Sequence, residues 1–271
     1  MTTPAAPTGT LSVQIPNADG SINNYTASLA NFAVTVTPPP PPPEPAIPAT
    51  AAVVDMLPAT VPWAMTFDPG TQTKAGTAAA EGTTGYPVAA PDGTLNCRVF
   101  NFKLTGLGGI TCHANVMKNG SAYNTFCYET QEYFVDPSNL NCMEKDLEQA
   151  DATGAYVDMA TQLNGTAGCL NYTANQAWQS TAVKANPTAL PKGTWITTRR
   201  YFKNLGGGMV EYIGSYDNGV YSPLNITAKS QPTKPWGANV LNVQYQFDGK
   251  SLAAVQSTVY VRVFKIHCWE S

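Results

Sequence analysis

The run Cys97-Arg98-Val99-Phe100-Asn101-Phe102-Lys103-Leu104 decides the fold class. A glycine-rich break at Gly106 to Gly109 closes it, and Ile110-Thr111-Cys112-His113-Ala114-Asn115-Val116-Met117 follows. Short apolar and β-branched runs, each punctuated by turn residues, are strand signals. The same texture recurs at 123–135, 141–149, 155–162, 194–203, 208–216, 239–248 and 257–268, and no stretch carries a ten-residue helical period. Many short strands at regular spacing predict an all-β chain, an antiparallel β-sandwich of the jelly-roll type rather than βαβ units.

Composition supports that reading. Charged residues make up 12% of the 271 residues, with 22 glycines and 22 prolines, against about 25% charged in an ordinary soluble domain. A net charge of −3 gives no general attraction to nucleic acid or to an anionic membrane. No apolar run reaches the ~20 residues that cross a bilayer. The segment Met1 to Pro7 has neither a basic n-region nor an apolar h-region, so it does not read as a secretory signal. Virion assembly in the cytoplasm followed by lysis is one other route to the outside.

The chain divides into three parts. Residues 1–37 carry two strand-like runs, Leu11 to Ile15 and Phe32 to Val36, separated by Asn/Asp/Gly turns. They are too short to bury a core and read as an arm for assembly or attachment. Pro38 to Pro43, extended by Glu44-Pro45 and Pro48, opens a proline-rich linker over 38–52, expected as a polyproline II spacer of about 3.1 Å per residue. The sandwich is expected over 53–271.

The stretch from Pro62 onward resembles bacterial lectin-like domains of the concanavalin A-like/glucanase superfamily. The resemblance rests on Pro62 to Gly70, Tyr133-Phe134-Val135-Asp136-Pro137, Glu144-x-Asp146-Leu147-x-Gln149, Gly193-Thr194-Trp195, Val243 to Gly249 and Ser257 to Val261. It implies an extracellular or surface-displayed β-sandwich. Two departures are visible: Leu163 and Ala185 stand where the relatives tend to carry cysteine.

Glu144-Lys145-Asp146-Leu147-Glu148 is the sharpest chemical feature. In a strand, side chains at i, i+2 and i+4 share one face, about 6.5–7 Å apart per step. The pattern resembles the catalytic strand of laminarinase/lichenase-type glycosidases, which implies Glu144 as nucleophile, Asp146 as helper and Glu148 as acid/base. Retaining glycosidases hold two carboxyls ~5–5.5 Å apart. Against cleavage, Lys145 would face the core, where an unpaired charge is costly, and the lectin-like relatives generally carry Asn at the position of Glu148.

Trp178 and Trp236, in Gly/Pro/Asn-rich surroundings, and Gln149 are the candidates for glycan contact, whereas Trp195 and Trp269 read as core. Asp217-Asn218-Gly219 and Asp248-Gly249 read as hairpin turns; Ca²⁺ could sit there, but nothing fixes a ligand set, so no cofactor or metal is assigned. Of the cysteines at 97, 112, 127, 142, 169 and 268, Cys97 opens the first strong strand and Cys268 ends the last. Strands so placed commonly lie side by side, which makes Cys97–Cys268 the first disulfide candidate; Cys142 shares the parity of Glu144. The sequence thus points to a non-enzymatic surface-displayed protein, such as a phage virion decoration, fibre or spike, that binds a polysaccharide or glycan. It would join other virion or cell-surface proteins through residues 1–52, as a homo-oligomer. The alternatives are a secreted glycosidase using Glu144, Asp146 and Glu148, and a purely structural surface protein.

Overall fold

In the computed structural model the described residues are 10–16, 22–28, 42–68, 79–118, 122–175, 177–230 and 237–271. The chain forms two compact units, Met1–Pro40 and Pro41–Ser271. In the first, β1 (Thr10–Pro16) pairs antiparallel with β2 (Ile22–Ser28), Thr10 opposite Ser28 and Pro16 opposite Ile22. The partner of Leu11 to Ile15 is therefore the stretch around Tyr25, which the Asn-Asn turn signal conceals; Phe32 to Val36 lies outside the described residues.

The second unit is a two-sheet antiparallel sandwich. In chain order its strands are β3 (Ala52–Asp55), β4 (Ala64–Asp68), β5 (Ala79–Val88), β6 (Cys97–Thr105), β7 (Gly109–Asn115), β8 (Thr125–Phe134), β9 (Leu140–Ala150) and β10 (Tyr156–Asn164). Then come β11 (Cys169–Ala174), β12 (Ala177–Lys184), β13 (Trp195–Gly206), β14 (Met209–Asp217), β15 (Val220–Lys229), β16 (Leu241–Gly249) and β17 (Val255–Trp269). One sheet runs β12-β11-β10-β9-β16-β7-β4; the other runs β15-β14-β13-β8-β17-β6-β5, with β3 added against β17. Asn218 and Gly219 take φ of 45° and 98°, the positive values that a two-residue turn between twisted strands requires, and so join β14 to β15.

Residues from Glu44 onward belong to this unit. The Glu44 carboxylate accepts hydrogen bonds from Arg199 at 3.0 Å and from the Tyr201 hydroxyl at 2.6 Å, and Val53 and Val54 pair with His267 and Ile266. Arg98 locks the lead-in loop to β6, donating to the carbonyls of Leu57 and Pro58 at 2.7 and 2.6 Å. The tryptophan packed against the core is Trp63, edge-on to Phe100 at 5.3 Å with its indole N–H on the Met56 carbonyl. Trp195 and Trp269 are only half-buried, on the outer side of their strands.

Strict alternation governs β9. Met143 and Leu147 join the apolar core between the sheets, and Lys145, between them in sequence, points the same way. Its ammonium is fully enclosed, 2.8 Å from the Glu132 carboxylate of β8 and bonded to the hydroxyls of Thr130 and Thr198. Tyr245 completes the group, donating its hydroxyl to Glu132 at 2.5 Å. Burial pulls the Lys145 pKa down to about 8, opposed by the attraction of Glu132. The expected penalty for a core lysine is thus offset by a partner from the facing sheet. Removing one member of a buried pair leaves the other uncompensated and costs about 3–5 kcal/mol. Lys145→Met should therefore lower the urea-unfolding free energy by about that much, and adding Glu132→Gln should restore part of it; strict additivity of the two losses would show that they do not act as a pair.

The Cys97–Cys268 bond is corrected. The side-by-side placement of β6 and β17 is present, with Arg98 opposite Val261. Cys97 therefore lies level with residue 262, and Cys268 is six positions further along β17, against Ala52, roughly 20 Å away at the rise of a strand. A disulfide needs Cα atoms about 5.5 Å apart. All six cysteines are free and buried, and burial raises the thiol pKa of Cys97, Cys112, Cys127, Cys142 and Cys268. Iodoacetamide should leave all six unmodified in the folded protein and modify all six in denaturant without reductant; any pair missing in the second mass spectrum would reveal a bond.

Candidate functional site

Antiparallel register carries the other face of β9 across its whole sheet. Residues directly opposite one another share a face, so Thr66, Thr111, Gln246, Glu144, Gln162, Asn171 and Ser180 form one continuous row over seven strands. The next row holds Ala64, His113, Gln244, Asp146 and Ala160, and the one beyond it Asn115, Asn242, Glu148 and Asp158. On the other side Asp248, Cys142, Asn164, Cys169 and Lys184 form a further row. Carboxyls and amides thus tile the face, about 29 Å across six spacings of ~4.8 Å.

Exposure falls from rim to centre. Ala64, Thr66, Asn115 and Ser180 are exposed, whereas Glu144, Asp146 and Glu148 are 7%, 5% and 3% exposed. That is the profile of a trough with β9 at its floor. The polar groups are cross-linked along it: Asn164 donates to Gln162 at 2.7 Å, Gln162 in turn to Glu144, Gln244 to Glu148 at 2.8 Å, and Thr111 to Gln246 at 2.6 Å. Asp146 accepts the backbone N–H of Thr161 at 3.2 Å.

Crowding like charges in a desolvated row disfavours ionisation. Burial, then the neighbouring Glu144, Asp158 and Glu148, raises the Asp146 pKa well above the ordinary carboxylate value. Asp158 is raised by burial and by Glu148, directly across the strand. The Asp158 Oδ1 and Asn242 Oδ1 atoms are buried without a hydrogen-bond partner among the described residues.

The structure thus brings Glu144, Asp146 and Glu148 together on the trough floor. Trp178 joins their face at the rim: it lies on edge strand β12 opposite Thr173, half-buried, rather than in a loop. Gln149 does not. Its parity turns it away from the row, where it donates to the Tyr123 carbonyl at 2.5 Å and accepts from Asn204 at 2.8 Å. Trp236 lies outside the described residues. The Asp217 carboxylate accepts from Arg200 at 2.7 Å and Asp248 from Gln246 at 3.2 Å. Asp158, Gln162, Gln244 and Gln246 were missed by sequence reasoning. Their signal is the alternation itself: Val243, Tyr245 and Phe247 fill the core while the residues between them face out.

No protein-family model matches the sequence, and no curated protein matches it. Solved structures do. The cellulose induced protein Cip1 aligns at a TM-score of 0.42 and 11% identity, over 76% of this chain and 92% of its own. The β-glucanase of Bacillus licheniformis aligns at 0.35 and 9%, over 76% and 98%. A family 11 carbohydrate-binding module of a cellulosomal cellulase from Clostridium thermocellum aligns at 0.36 and 10%, over 82% and 96%. The structural neighbours are carbohydrate-binding and glucanase-type β-sandwiches.

A proton held by Asp146 has a measurable consequence. Its folded pKa is raised, so the folded state keeps a proton that the unfolded chain gives up. Its stabilisation is complete below the unfolded carboxylate value, near pH 4, and is lost as pH rises towards and through the folded value. Asp146→Asn keeps the acceptor oxygen and stays neutral. The variant should lose less thermal stability than the wild type between pH 4 and pH 8, by scanning calorimetry; parallel curves would mean that Asp146 is already ionised in the fold.

Proposed function

We propose that the protein is a carbohydrate-binding β-sandwich that holds a polysaccharide across the trough of the seven-stranded sheet without cleaving it. The observation that carries this reading is the tiling of one sheet face by amides and carboxyls. Sugar hydroxyls both donate and accept, and a face of mixed Gln, Asn, Asp and Glu offers both functions in fixed positions. Trp178 at the rim supplies an apolar ring of the kind that stacks on a sugar face. The finer reading is display outside the cell, on a virion as a decoration, fibre or spike protein, attached through the region of residues 1–52 and assembled as a homo-oligomer. The separate N-terminal hairpin unit and the proline run behind it support attachment at that end.

A second reading, a retaining glycosidase, is favoured by one observation: three carboxyls on one face, the middle one, Asp146, with its pKa raised by burial and by its neighbours, an arrangement in which one carboxyl can attack and another deliver a proton. The amide bonds that Glu144 and Glu148 already accept favour holding over cutting. A glycan array followed by calorimetry on the best ligand tests both. Binding by the wild type, reduced at least tenfold by Gln162→Ala or Gln244→Ala while circular dichroism shows the fold retained, is the expected result. Release of reducing sugar that Glu144→Gln and Glu148→Gln each abolish would replace it with the enzyme. No binding across the array would remove the glycan reading.

A further inference from the structure

At one end of the sandwich, just beyond the Glu148–Asp158 row, the sheets part around a cleft of about 570 Å³. That is within the range of ~300–1,000 Å³ typical of small-molecule sites. Two half-buried tyrosines, Tyr123 and Tyr156, line it. Its polar wall is Gln149 and Asn204, held rigid because Asn204 donates to Gln149 and Gln149 to the Tyr123 carbonyl. The opposite wall is the β13–β14 hairpin loop, Gly206-Gly207-Gly208, with φ of 78°, 59° and 77°. Each glycine is in the left-handed region that side-chain-bearing residues avoid, so this wall presents bare backbone to anything in the cleft.

The lining also restricts ligand charge. Among the described residues no lysine, arginine or histidine lines the cleft. The one carboxylate among its described residues, Asp151, accepts the Thr153 hydroxyl at 2.7 Å and the N–H groups of Thr153 and Ala155 at 2.8 and 3.1 Å, which holds its pKa low, the hydroxyl first. An anion finds no cation there, and a cation finds only a carboxylate already committed to its own turn. Pre-positioned amides, bare backbone and two aromatic rings fit a small neutral polyhydroxylated ring, with hydroxyls on the amides and C–H faces on the tyrosines.

We infer that this end cleft is a second binding site, for one or two neutral sugar rings, formed by Gln149, Asn204, Tyr123 and Tyr156 and separate from the trough. The inference does not depend on what the trough binds. A cleft closed by strand ends and a hairpin takes a monosaccharide or a chain terminus end-on.

The test is an NMR and calorimetric titration of the full chain with glucose, galactose, mannose, N-acetylglucosamine, cellobiose and, as the anionic control, glucuronate. At least one neutral sugar should bind and shift the amide signals of Gly206 to Gly208 and Tyr156. Ala155→Trp, which fills the mouth from an exposed position, and Tyr156→Ala should each weaken that binding at least tenfold, while Glu144→Gln on the trough floor leaves it unchanged. The inference is overturned if no neutral sugar binds, if the shifts fall on the trough rows and vanish with Glu144→Gln, if both cleft variants bind as the wild type does, or if glucuronate binds as tightly as glucose. Polysaccharide binding lost in Gln162→Ala but retained in Ala155→Trp reports on the trough alone, so the two readings can fail separately.

Discussion

The ammonium of Lys145 reaches through the middle of the sandwich to the carboxylate of Glu132, and the order of the rest follows from that contact. It ties β9 of one sheet to β8 of the other inside the apolar core, where the Tyr128 and Tyr212 hydroxyls also bond across the sheets, to the carbonyls of Gln244 and Thr173. Tyr245 and the hydroxyls of Thr130 and Thr198 complete the group, so each charge has several partners, the condition under which a buried pair is tolerated. Because strand parity is fixed, seating Lys145 inward forces Glu144 and Asp146 outward. A one-residue slip of β9 would place three carboxyls in the core and Lys145 in the trough. The ion pair therefore sets the register of the candidate site as well as the spacing of the sheets.

Much of this was legible in the sequence. Strands rich in apolar and β-branched residues, such as β6 and β17, announce themselves, and the common face of Glu144, Asp146 and Glu148 follows from a period of two alone. Strands β5, β11, β12 and β15 were not legible. They mix Ala, Thr, Ser, Asn and Gly with scattered apolar residues; β5, β12 and β15 lie at sheet edges, and β11 has the edge strand β12 as a neighbour. There little apolar surface is buried and the alternation that marks a strand is weak. Partnership across the core was equally hidden. Nothing local tells Lys145 that Glu132, thirteen positions earlier, will face it from another sheet. The Cys97–Cys268 expectation failed for a related reason: adjacency of two strands was read correctly, but stagger depends on pairings along the whole length of β17, which continues past the end of β6 to meet β3.

The two outer faces of the sandwich use charge in opposite ways. On the eight-stranded sheet, Glu129 lies between His267 at 2.9 Å and Arg199 at 2.8 Å, and Arg199 also holds Glu44. Those partners, His267 first, keep the Glu129 pKa down at about 2, so the carboxylate is committed to fastening the 42–55 segment to the sheet. On the seven-stranded sheet Glu144 and Glu148 accept from glutamine amides and Asp146 from a backbone N–H. A carboxyl paired with arginine is a structural fastener. One surrounded by glutamine, and short of room to ionise, retains capacity to donate as well as to accept.

That difference bears on whether the trough holds or cuts. A nucleophilic carboxylate has to be ionised and free to approach carbon, and its partner has to carry a proton towards the leaving oxygen. In this row the acid raised most plainly by its surroundings is the middle one, Asp146, which is anchored to the Thr161 backbone, while the flanking glutamates are each engaged by a glutamine amide. Protonation at the centre relieves the repulsion that three adjacent carboxylates would otherwise exert on the sheet. The raised Asp146 pKa acts in that direction, lessening the negative charge along the buried row. On the reading proposed above, such a floor suits sugar hydroxyls that stay bound rather than a bond that is cut.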